Sequence, residues 1–152
     1  DAHIMTGVAG KGRGMENAEA LAQFLNRTNP AHVVNFSMFL HKEVPLYEDI
    51  RQGTFVPADE LETIREEYHL IERIAPEKAG ANILYDGFHD FIHVRVRGHL
   101  PGDKEKMLAK LSGIIQEYEG KEPVYSFVQG ECPDLEYCDD GKAVWDMDRK
   151  TS

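Results

Sequence analysis

The spacing of apolar positions changes several times along this chain, and each change marks an element. A short stretch holding Ile4 and Met5 leads into a glycine-rich turn, Gly7-Val8-Ala9-Gly10-Lys11-Gly12-Arg13-Gly14. Beyond it Ala18, Leu21, Ala22 and Leu25 recur at the three-and-four spacing of one helical side, which predicts a helix over 15–26. Thr28-Asn29-Pro30 stops it, because the residue before proline is pushed out of the α region. Residues 33–40 are mostly apolar and predict a strand covered on both faces, as parallel strands between helices are. Residues 45–51 read as a corner, with Pro45 where a first helical turn tolerates proline and Gly53 closing the turn. The longest predicted helix, 59–75, has a stripe of Leu61, Ile64, Tyr68, Ile71 and Ala75. Its other sides carry Glu62, Arg65, Glu66, Glu67, Glu72 and Arg73. Residues 81–97 predict one short strand plus extended chain. A last helix follows Leu100-Pro101-Gly102-Asp103, with Met107, Leu108, Leu111, Ile114, Ile115 and Tyr118 facing in.

Alternating strands and helices define an α/β unit of a parallel sheet. The run starts in mid-pattern at Asp1, and reads as the back end of a larger α/β domain. Residues 1–120 form that portion. Residues 121–152 form an acidic, turn-rich extension; 123–128 could add a strand, and beyond it Leu135, Tyr137, Val144, Trp145 and Met147 are the main groups to bury. With 152 residues and 41% hydrophobic content, the chain suits one domain with a true core. A formal net charge of −10 repels phosphate polyanions and anionic lipid, which argues against nucleic-acid and membrane partners. No apolar run approaches the roughly 18 residues of a spanning helix, and no signal-peptide layout opens the chain, so a cytoplasmic protein is expected. Cys132 and Cys138 are too few for a disulfide scaffold and are expected to be free thiols.

Three groups of residues invite a chemical reading. Glycine N–H groups before a helix can cradle an anion or let a cofactor approach closely. The spacing here, however, is neither a P-loop (Lys11 is followed by Gly12) nor a dinucleotide fingerprint, so a plain loop and a cofactor-facing loop both stand. His89, Asp90, His93 and His99 lie close enough in sequence to suggest metal ligation. A strand over 91–97 would set His93 beside Arg95 and Arg97, a poor place for a cation, so no metal site is expected and one imidazole facing a substrate pocket is preferred. Glu62, Glu66 and Glu67 beside Arg65 have the spacing of a solvated helix surface, and no catalytic carboxylate pair is assigned to them.

The order of these pieces resembles a known family. Residues 7–18, then Leu25-Asn26 and Asn29-Pro30, then Val44-Pro45-Leu46-Tyr47 with Gly53-Thr54-Phe55, then His89, then Gly98-His99-Leu100-Pro101-Gly102-Asp103-Lys104-Glu105 are similar to the C-terminal half of radical S-adenosylmethionine (SAM) enzymes. The nearest branch is the iron–sulfur oxidoreductases related to oxygen-independent coproporphyrinogen oxidases. The resemblance implies part of a partial (β/α) barrel, in which a cysteine motif elsewhere holds a [4Fe–4S] cluster that cleaves SAM to a radical. It implies that Gly7, Val8 and Gly10 approach SAM, that Met38 and Phe39 lie at the adenine strand, and that His89 lies toward the substrate. The chain departs from the family in lacking the three-cysteine motif, in Lys42-Glu43-Val44-Pro45-Leu46 at the usual Pro-Gly-Thr-Pro-Leu corner, and in Ile92 where asparagine is common. It is therefore expected to hold no cofactor and to be inactive alone, with the missing N-terminal half as its partner and SAM and the cluster belonging to the whole enzyme. The rival reading is an independently folded interaction domain that pairs between copies.

Overall fold

The computed structural model describes residues 1–127. Strands β1 (Ala2–Thr6), β2 (His32–Ser37) and β3 (Ile83–His89) run parallel in sequential order, and β4 (Val94–Leu100) returns antiparallel beside β3. Helix α1 (Gly14–Thr28) joins β1 to β2, α2 (Pro45–Gln52) and α3 (Glu60–Arg73) join β2 to β3, and α4 (Lys104–Tyr118) follows β4. The described residues thus form an α/β structure with a four-stranded mixed sheet and four α-helices.

The helices start and stop for local reasons. Helix α1 ends at Asn29, whose left-handed conformation (φ 52°) lets its N–H reach the Leu25 carbonyl at 2.9 Å. Helix α3 is capped by the Asp59 carboxylate, which accepts from the Glu62 N–H at 2.8 Å. Proline at the first position of α2 and Gly53 (φ 74°) after its end bracket that helix, where the sequence reads a corner.

One core joins the sheet to three helices. Ile4, Val33, Ile83, Tyr85, Val96 and Leu100 from the strands meet Ala18, Ala22 and Leu25 of α1, Ile64, Leu70 and Ile71 of α3, and Met107, Leu108 and Leu111 of α4. Consecutive parallel strands in the order β1-β2-β3 put crossovers of one hand on one face, and these helices do cover a single face. The residues of opposite parity point the other way. Met5 and Phe36 are 37% and 38% exposed there, with His3, Arg95, Arg97 and His99 exposed beside them. This corrects the expectation that β2 is covered on both faces: among the described residues the helices cover one.

Two further expectations change. Residues 81–97 hold not one short strand but most of a hairpin, β3 and β4, joined by a 3-10 turn at Asp90–Ile92 with His93 left-handed at φ 53°. His93 therefore sits in the turn, not on a strand face with Arg95. Of the extension, Tyr125 and Phe127 are buried, and Phe127 makes an isolated parallel bridge with Leu40 instead of a strand. Its remainder, including Cys132 and Cys138, lies outside the described residues. Among the described residues no helix is long and apolar enough to cross a membrane.

Candidate functional site

The C-terminal ends of parallel strands, where ligands bind in open α/β sheets, converge here on the glycine turn, on Met38 and Phe39 after β2, and on His89. Beneath that end lies a buried polar network, which includes two glutamates, Glu66 and Glu67, that the sequence reading placed at the surface. Glu60, Glu66 and Glu67 are only 2%, 1% and 0% exposed, which corrects the view of Glu66 and Glu67 as solvated helix residues.

Glu67 is the hub. Its Oε1 accepts from Tyr85 Oη at 2.8 Å and from Asn35 Nδ2 at 3.0 Å, and its Oε2 meets His89 Nε2 at 2.8 Å. The other ring nitrogen, Nδ1, faces Glu60 Oε2 at 3.2 Å, while Glu60 Oε1 accepts from Ser37 Oγ at 3.1 Å. Burial alone pulls an imidazole down, but hydrogen bonds and charges from Glu60 and Glu67 prevail and push His89 up from 6.5 to about 10. His89 is therefore a cation donating to two carboxylates. Burial likewise raises a carboxyl, yet the contacts with His89, Asn35 and Tyr85 hold Glu67 below its ordinary value. Tyr85 is pushed well up, by burial first and then by the Glu67 charge, and so remains a phenol that donates.

Glu66 turns to the glycine loop. Its Oε2 accepts from the Gly7 N–H at 2.9 Å, and its Oε1 from the Asn17 amide. Burial keeps its carboxyl above the usual range despite those bonds, with Glu67 adding a like charge. One helical turn earlier, Glu62 accepts from the Gly12 N–H at 3.3 Å, and the Lys11 N–H goes to the Val56 carbonyl at 2.8 Å. The amides of Gly7, Gly10, Lys11, Gly12 and Arg13 are thus taken up by the chain's own acceptors. An anion cradle needs such amides open, and an anion here would also meet Glu62 and Glu66, which argues against one. The adjoining cleft, about 150 Å³ between Gly10, Gly12, Gly14, Met15, Glu62 and Arg65, is also below the roughly 300 Å³ of typical ligand sites.

Glycine is required at Gly10 on two counts. Its φ is +82°, and an added Cβ would lie 2.8 Å from the Val56 carbonyl oxygen and 3.1 Å from the Phe55 ring. Gly10→Ala is expected to destabilise the fold by about 2–3 kcal/mol. Gly12→Ala, with φ +75° but nothing within 4 Å, should cost only about 1 kcal/mol. Urea unfolding of the two variants checks the order, and equal losses would mean the Val56 approach is not tight.

The open sheet face has a different chemistry. Phe36 and Phe88 stack with centroids 5.7 Å apart, and the Arg95 guanidinium sits 4.8 Å over the Phe88 ring. Arg95 also holds Asp86 in a two-pronged bond of 2.9 and 2.7 Å, which lowers the Asp86 carboxyl, while Arg97 stands 3.7 Å from the same carboxylate.

The structure brings some predicted residues together and separates others. Gly7 and Met38 adjoin: the Met38 N–H reaches the Thr6 carbonyl at 2.9 Å, and a Cβ on Gly7 would lie 3.5 Å from Met38 Cβ. Val8 and Phe39 are 48% and 53% exposed at the same end of the sheet. His89 is 1% exposed and enclosed by Glu60 and Glu67, on the helix-covered side of the sheet. Among the described residues no three His, Cys, Asp or Glu side chains are placed to hold a metal ion. Sequence reading missed Glu60, Glu67, Asn35 and Tyr85. One signal was present, because Glu60, Ile64, Glu67 and Ile71 follow the four-three-four spacing of a buried stripe. Comparison with protein-family models, characterised proteins and solved structures finds no match.

Proposed function

We propose that this chain is the C-terminal portion of a radical SAM oxidoreductase, forming part of the wall of a partial (β/α) barrel. The observation that carries the reading is the sheet's one-sidedness: three parallel strands in sequential order, helices on one face and an apolar, arginine-edged face left open. A doubly wound sheet would place helices on both faces. A barrel wall presents its open face to a lumen and its strand C-termini to the chemistry.

The residues fit one part of the family's cofactor set and not another. Exposed Val8 and Phe39, beside Gly7 and Met38, offer an apolar shelf with backbone carbonyls for the adenosyl group of SAM. Two cysteines cannot supply the three thiolates of the cluster, so that centre belongs to another part of the enzyme. When bound, SAM and the cluster supply the radical, and this chain's task is to shape the enclosure and exclude water. The Glu66 and Glu62 bonds to the turn serve that task by fixing its backbone.

Calorimetric titration of SAM into this chain, and into the chain joined to a cluster-bearing N-terminal half, tests the reading. Saturable binding is expected in the joined protein only. Tight binding by the present chain alone, or none after joining, overturns it. The self-associating interaction domain draws on the same open face, and sedimentation at several concentrations separates the two: a concentration-dependent dimer supports the interaction domain.

A further inference from the structure

The outer margin of β4 is a basic groove on a chain of net charge −10. Arg95, Arg97, Lys106 and Lys110, all exposed, line a depression of about 430 Å³ between β4 and α4, floored by Val96 and Met107. Asp86 pairs with Arg95 and stands 3.7 Å from Arg97, which leaves the four cations in clear excess. The backbone of β4 shows which groups face the groove. Strand residues direct their N–H and C=O to one side, alternating along the chain. His99 uses both on Asp103, and the Arg95 carbonyl accepts from Lys110 Nζ at 2.5 Å, so 95, 97 and 99 point away from β3. Arg97 therefore presents both its N–H and its C=O to the groove. Charged edges deter random strand pairing. Here, however, two of the four cations come from the neighbouring helix and form a second bank facing the strand's own.

We propose that this groove receives an extended acidic segment of a separate protein, laid along β4 as an added strand and paired at Arg97. The backbone and the charges select this occupant together. Only another extended chain complements the N–H and C=O of a strand edge in alternation, which is the logic of β-augmentation. Side chains of an added strand alternate between the two sheet faces. On the open face they meet Arg95 and Arg97, and on the helix side Lys106 and Lys110. Cations thus await both sets of side chains. The floor needs no apolar cover, since Val96 and Met107 are only 1% and 2% exposed already. Acids at successive positions therefore fit better than acid alternating with apolar. A second copy offering the same edge is opposed by charge, because its four cations would meet these four. The surface is independent of the radical SAM reading.

Fluorescence anisotropy with a labelled oligoglutamate peptide and the full chain tests it, together with amide hydrogen exchange at Arg97. Saturable binding is expected, weakened at least about tenfold in Arg97→Glu and in Lys106→Glu. Both positions are exposed, so neither substitution should disturb the fold. Saturating peptide should slow exchange of the Arg97 amide about tenfold or more. The Val96 amide, which faces β3, should not change and controls for global opening. Absence of saturable binding, or binding that survives both substitutions, overturns the proposal. Binding that leaves the Arg97 amide unprotected overturns it as well, since the groove would then hold anions by charge alone. Protection already present before peptide is added overturns it too, because this chain or a second copy would then supply the strand.

Discussion

Gly87→Ala is expected to cost about 3–5 kcal/mol of folding stability, although it adds one methyl group in the middle of a strand. Gly87 faces the helices from β3, and a Cβ built on it overlaps Glu67 Oε1 while coming within 3.0 Å of Glu67 Cδ and 3.1 Å of the Tyr85 ring. The carboxylate cannot step aside cheaply. It is fully buried, and moving it breaks bonds to Tyr85, Asn35 and His89 together. The loss is therefore that of unpairing a buried charge, which exceeds ordinary overpacking of about 1–3 kcal/mol. Gly113→Ala in α4, where an added Cβ meets nothing within 4 Å, provides the contrast and should stabilise by about 0.5–1 kcal/mol. Urea unfolding of both variants measures this, and a loss below about 1 kcal/mol at Gly87 would show that Glu67 is not fixed against β3.

His89→Ala is expected to lose about 3–5 kcal/mol, because Glu60 and Glu67 then remain buried without their shared cation. The pH dependence carries the sign. His89 rises from 6.5 unfolded to about 10 folded, so its contribution is complete below 6.5 and is lost as pH climbs toward 10. Glu67 lies below its ordinary 4.5 when folded, so its contribution is present above 4.5 and lost as pH falls. The gap between parent and variant should therefore peak between about pH 4.5 and 6.5 and narrow on both sides. Glu66 works the other way: its raised carboxyl favours the folded state as it gains a proton, which softens the acid limb in both proteins. Unfolding free energies of the two proteins from about pH 4 to 10 measure the gap. A gap that stays constant across that range sinks the ion-paired account of His89.

The helices were legible because their signals are local. Ala18, Ala22 and Leu25, or Met107, Leu108 and Leu111, declare a buried side without reference to the rest of the chain, and Pro45 and Gly53 mark α2 at both ends. The parallel pairing of β2 also followed from alternation of element types. The β3–β4 turn was missed because Asp90, Phe91, Ile92 and His93 contain no glycine, and the left-handed residue is a histidine. Burial of Glu60 and Glu67 was missed because hydropathy assigns carboxylates to water, and the partner that reverses the assignment, His89, is 29 and 22 residues away. Such a network is defined by three-dimensional proximity, and its members look ordinary one at a time.

The reversal of direction at β4 makes the sheet's two margins unequal. Past β1 lies a strand edge that another parallel strand could join in the same sense. Past β4 the polarity has flipped and the border is charged, so further βα units could not be appended there in register with the rest. The parallel sense can be carried on from the β1 margin, and the antiparallel β4 interrupts it at the other.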